Sequence, residues 1–171
     1  MMRSKKVKML SMVGIMTAFA LILSYIELLL PPLYSAIPGI KMGLANIAVI
    51  FALYRFSSRT ATTVSVLRII LVSVLFGNAM AFAYSLSGAV LSLAAMTLLK
   101  KSGLLSGVGV SVAGAVMHNV GQILCAMALL GTAELGYYLI LLAITGTISG
   151  IFVGLVGAIA ITRIPEKITK I

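Results

Sequence analysis

The sequence contains no aspartate and no tryptophan, a single histidine, a single cysteine and only three acids, Glu27, Glu134 and Glu166. Without aspartate the chain cannot by itself hold magnesium between paired aspartates. The lone Cys125 permits no intrachain disulfide and no cysteine-rich metal site, and inside an apolar run it reads as a small buried hydrophobe. No G-x-x-x-x-G-K-[ST] loop occurs, so the chain cannot drive transport with its own ATP; no cofactor is expected in it. Hydrophobic residues, by contrast, make up 61% of the 171 positions and charged residues only 9%, a balance that the polar surface of a water-soluble domain does not allow. The net charge of +10 comes from basic residues in small groups at the ends of apolar runs. That is the pattern of topology determinants rather than of a nucleic-acid surface.

The expected fold is all-α: a polytopic membrane protein forming one transmembrane domain over residues 1–171, with spans at about 9–30, 43–54, 60–76, 80–99, 104–130 and 136–162. The first apolar run exceeds the roughly 7–15 residues of a signal-peptide core, so it reads as a retained span that ends at Pro31-Pro32. Gly14 and Ala18 form a small-xxx-small step on it, fit for close approach of another helix. The segment 43–54 is short for a crossing, which takes about 20 residues. Arg68 sits near the middle of the third span, where insertion costs about 2.5–3.5 kcal/mol, so it is expected to face the bundle. Two ladders of small residues, Gly103-Gly107-Ser111-Ala115 and Gly146-Gly150-Gly154-Ala158, predict that the last two spans pack against each other.

With six spans, one side receives Arg3, Lys5, Lys6, Lys8, Arg55, Arg59, Lys100, Lys101, Arg163, Lys167 and Lys170, and the other only Lys41. The positive-inside rule then makes both termini cytoplasmic. Glu27, Lys41, Asn46, Asn78 and Tyr84 fall toward the outer face. Arg68, His118, Asn119 and Gln122 fall at middle depth. On a helical wheel with Ser111 at zero, His118 lies at about −20°, Gln122 at about +20°, Ala115 at about +40° and Asn119 at about +80°. One narrow face of the fifth span thus carries its polar and small residues, either as glue between helices or turned toward a substrate. Convergence of these residues from different spans gives a pocket open to the outside.

Such a pocket, with Lys41, Arg68 and His118 against Glu27 and with Tyr25, Tyr34 and Tyr84 offering flat faces, suits a small organic molecule bearing a ring and an anionic or zwitterionic group. His118, with an ordinary pKa near 6.5, is also a candidate proton carrier.

The motifs Pro38-Gly39-Ile40-Lys41-Met42-Gly43-Leu44-Ala45-Asn46, Arg68, Gly77-Asn78, Tyr84-Ser85-Leu86-Ser87-Gly88 and Gly109-Val110-Ser111 through His118-Asn119-Val120-Gly121-Gln122, in this order, resemble the Gx transporter family. That bacterial membrane family, which implies the plasma membrane of a bacterium, is also labelled heptaprenyl diphosphate synthase component I. In six-helix architecture it is similar to the substrate-binding S components of energy-coupling-factor transporters. The resemblance implies a non-enzymatic substrate-binding subunit for uptake of a vitamin-like, flavin-like or quinone-precursor-like molecule. Its partners would be a transmembrane coupling subunit, met by Gly14 and Ala18, and ATPases that hydrolyse ATP on its behalf. The other label implies a non-catalytic membrane accessory of a polyprenyl diphosphate synthase, serving isoprenoid or menaquinone synthesis.

Overall fold

The computed structural model describes residues 2–29 and 43–165. They form six α-helices and no strand: α1 (Met2–Leu29), α2 (Asn46–Arg55), α3 (Ser58–Phe76), α4 (Ala79–Ser102), α5 (Gly107–Leu130) and α6 (Tyr138–Arg163), with a 3₁₀ turn at Glu134–Tyr137 leading into α6. Five of the helical segments are long and apolar enough to cross a membrane. The outward faces suit a bilayer as solvent, since large side chains such as Leu10, Ile22, Val74, Val90, Ile140, Ile148 and Leu155 stand exposed along them. Pro31-Pro32, Tyr34 and Lys41 lie outside the described residues, as do Glu166, Lys167 and Lys170.

Short polar side chains and glycines set the helix ends. Ser57 Oγ accepts from the Thr60 N–H at 3.2 Å, Asn78 Oδ1 from Ala81 N–H at 2.8 Å and Ser106 Oγ from Gly109 N–H at 3.2 Å, each satisfying one first-turn donor. Gly103 closes α4 at φ +68 and Gly131 closes α5 at φ +65, the left-handed conformation that glycine adopts without a Cβ penalty. Gly103 therefore belongs to a turn and not to the small-residue ladder of the fifth span.

The segment expected as the second span is a ten-residue helix, about 15 Å long against a hydrocarbon core of about 30 Å. It does not cross by itself. All of Ile47–Leu53 is buried, because α1, α3 and α6 pack around it. An apolar sequence with no polar stripe is what a helix enclosed on all sides requires. Its Ile47, Val49, Ile50 and Leu53 join Leu93, Met96, Val110 and Val153 in the central apolar cluster.

The last two helices do pack closely, as the ladders predict. A Cβ placed on Gly150 would lie 2.6 Å from Val112 Cα, and one on Gly154 would lie 2.9 Å from Val108 Cα. On the α5 side only Ser111 and Ala115 of the expected ladder meet α6; Gly107 faces the Tyr54 ring. On the α6 side the run ends on Gly157, which faces Ile50, rather than on Ala158. A second close crossing joins α4 to α5, where a Cβ on Gly121 would come within 2.6 Å of Ser87 O and one on Gly88 within 2.8 Å of His118 O.

Two cations at the basic end do more than orient the chain. Arg55 Nη2 donates to the carbonyls of Ile161, at 2.6 Å, and Ile164, while Lys100 Nζ donates to Leu53 O at 2.5 Å and lies 4.9 Å from the centre of the Tyr54 ring. They satisfy terminal carbonyls of α6 and α2 and complement the negative ends of those helices.

Candidate functional site

A cavity of about 190 Å³ lies inside the bundle, and all six helices contribute to its wall. From α5 come Ser111, Ala115, His118, Asn119 and Gln122, the same five residues that share one face of the wheel. The helix turns that face inward because its neighbours supply what lipid cannot: Asn119 Nδ2 donates to Leu142 O of α6 at 2.7 Å, and the His118 ring lies against Gly88 of α4. Asn119 is thus partly helix-to-helix glue. Among the described residues no side-chain hydrogen bond engages Gln122.

Helix α3 contributes Arg68, with Ile69, Val72 and Ser73 beside it. Its Nε is buried without a hydrogen-bond partner, and among the described residues no hydrogen bond or ion pair engages the guanidinium, although the Glu27 carboxylate acts on it electrostatically. Arg68 thus borders the cavity with its Nε–H donor unused. Glu27, from the end of α1, accepts from the Gly43 N–H at the start of the α2 segment, which ties the two helices together. Its charge lies next to the positive end of α2, where an anion is favoured.

Asn46 lies at the first residue of α2 and on the wall. Helix α4 supplies Tyr84 and Ser85 near its start and Ser92 and Met96 further along. Ser87 is used between helices, its Oγ donating to Gly121 O at 3.0 Å. The opposite character, apolar, is given by Ile50, Met96 and Val153, all members of the central cluster.

Of the nine substrate-binding positions expected from the sequence, Glu27, Asn46, Arg68, Tyr84, His118, Asn119 and Gln122 line this one cavity. Asn78 does not; it stands exposed as the N-cap of α4. Lys41 lies outside the described residues. Tyr25 is on the outer surface beside Phe76, ring centres 5.3 Å apart, and takes no part in the wall. Gly14 and Ala18 are exposed on α1, with nothing within 4 Å of a Cβ built on Gly14, so no helix among the described residues covers them.

Sequence reading passed over four wall hydroxyls, Ser24, Ser73, Ser92 and Ser149. A hydroxyl in an apolar span is a weak signal because it readily bonds its own helix, as Thr63 does to Arg59 O and Thr147 to Ala143 O. Ser24 differs: its Oγ is buried with no partner.

An apolar exterior, five spanning helices and a polar chamber in the middle define a multi-pass helical membrane protein with a ligand-sized interior pocket. A family model described as heptaprenyl diphosphate synthase component I matches residues 16–160, and the chain belongs to that family. No curated protein and no solved structure matches it.

Proposed function

We propose that the chain is a substrate-binding membrane subunit for uptake of a small organic molecule. The observation that carries this reading is the cavity: a bundle that needed polar residues only for assembly would close over them, whereas here Arg68, His118 and Gln122 border about 190 Å³ of space. Arg55, at the end of α2, donates to the carbonyls of Ile161 and Ile164 at the end of α6, so α2 returns the chain to the basic end although it is too short to cross alone. The positive-inside rule makes that end, and with it both termini, cytoplasmic, and with that orientation the Glu27–Asn46–Tyr84 end of the cavity faces outward. Having no nucleotide loop, the subunit takes its energy from ATPases through a membrane coupling partner. The uncovered Gly14–Ala18 step on α1 is the contact proposed for that partner, by the likeness to S components. Protein purified in mild detergent should retain a small molecule detectable by mass spectrometry, and a transport assay in cells carrying the coupling subunit should accumulate it. Absence of any retained ligand, together with no thermal stabilisation by any compound in a vitamin and ring-carboxylate panel, would sink the reading.

The family's description favours a second reading, a membrane accessory of a heptaprenyl diphosphate synthase. Lacking aspartate, the chain would leave magnesium diphosphate chemistry to a soluble catalytic subunit. Pull-down separates the two: a prenyl synthase among the co-purified proteins supports the accessory role, and ATPases with a membrane coupling subunit support uptake.

A further inference from the structure

The dimensions of the cavity and the partnerless Arg68 Nε narrow the ligand. Resting on the uptake reading, we infer that the cavity takes a single-ring carboxylate, gripped by Arg68 and measured by Met96 on the apolar part of the wall.

A buried Arg donor without a partner is rare, because desolvating it uncompensated is costly. Arg68 Nε is such a donor, and it sits on the cavity wall. Nε with one Nη makes a two-pronged fork that matches the two oxygens of a carboxylate. The Glu27 carboxylate accepts from the Gly43 N–H and acts on Arg68 electrostatically, yet no hydrogen bond reaches Nε.

Size decides between ligand classes. An apolar cavity of about 150 Å³ takes one benzene ring. About 190 Å³ therefore admits one ring with a carboxylate and a small substituent, and is too small for the three fused rings of a flavin or for a prenyl chain of many isoprene units. On the apolar part of the wall the limit is Met96, which is 4% exposed and fills the space over Gly114, another wall residue: a Cβ on that glycine would come within 2.5 Å of Met96 Cγ. Methionine is flexible and unbranched, so removing it lengthens the chamber without disturbing backbone.

The test is thermal stabilisation and equilibrium binding on the full-length protein in detergent, with benzoate and 4-hydroxybenzoate against benzamide, 2-naphthoate and riboflavin. Benzoate-sized acids should bind, and benzamide, of the same shape without the charge, should bind at least tenfold more weakly. In Met96→Ala, 2-naphthoate should gain affinity relative to benzoate; Arg68→Lys should lose at least tenfold for every acid. The wild-type panel decides by itself if a variant does not fold. Binding of riboflavin, or equal binding of benzamide and benzoate, overturns the assignment of ligand class while leaving an uptake subunit in place. Silence of the whole panel, with no co-purified small molecule, overturns the uptake reading itself.

Discussion

At the scale of single residues, the two glycines at the α4–α5 crossing and the glycine on α1 make a controlled contrast. Gly121→Ala would press a methyl group onto Ser87 O and Gly88 Cα, at 2.6 and 2.8 Å, and both are backbone atoms that cannot swing away. The expected loss is about 1–3 kcal/mol, the range for overpacking a tight interior, read as a lower melting temperature in detergent. Gly88→Ala meets His118 O at 2.8 Å and the imidazole Cε1 at 2.9 Å, so it should displace the ring and weaken ligand retention as well as stability. Gly14→Ala meets nothing within 4 Å and should leave the melting temperature unchanged. If Gly121→Ala melts like the wild type, the crossing is looser than described. His118→Gln separates glue from ligand contact. Loss near the roughly 0.6 kcal/mol average for intramembrane hydrogen bonds with uptake intact would mark it as glue, and normal folding with reduced uptake as a ligand contact.

At the scale of helices, Asn78 shows how one residue type serves two ends. Its placement toward the outer face made it a substrate candidate, yet its side chain accepts the Ala81 N–H and begins α4. Asn78→Ala should cost about 1 kcal/mol of stability, the worth of an N-cap, with binding unchanged, and Asn78→Asp should restore the stability. A loss of binding in Asn78→Ala at unchanged stability would return the residue to the site. The extent of α4 was legible in the sequence because the Gly77-Asn78 turn and Lys100-Lys101 bracket its apolar run, whereas Asn78 as its cap and Gly103 as its stop came only from the structure. The place of α2 was not. A short apolar run looks the same whether it tilts across a bilayer or is surrounded by other helices, and only the packing of α1, α3 and α6 against it distinguishes the two.

At the scale of the whole molecule, the proposed orientation rests on basic residues counted at the two ends. In a Cys125→Ala background, cysteine at Ser102 should be labelled by an impermeant thiol reagent only after the membrane is opened, and cysteine at Thr132 in intact cells. The reverse pattern would turn the cavity mouth toward the cytoplasm and remove the case for uptake from outside. Arg55 and Lys100 add a structural stake in that same end, since they close α6 and α2 by hydrogen bonds to carbonyls.

Hydropathy and helical period, both local properties, were enough to establish that this is a helical membrane protein, roughly where its long helices run, and that Ser111, Ala115, His118, Asn119 and Gln122 share a face. Lipid cannot satisfy polar groups, so the same solvent argument turned that face and Arg68 inward before any neighbour was known. Which neighbours receive them is a matter of three-dimensional register. Tertiary packing alone made Asn119 a partner of Leu142, assigned Glu27 to the Gly43 N–H, left the Arg68 Nε without a hydrogen-bond partner, and set Met96 in the cavity wall. The reason is physical: periodicity fixes the direction in which a side chain leaves its own helix, but the separation and rotation of two helices depend on the shapes of both surfaces at once.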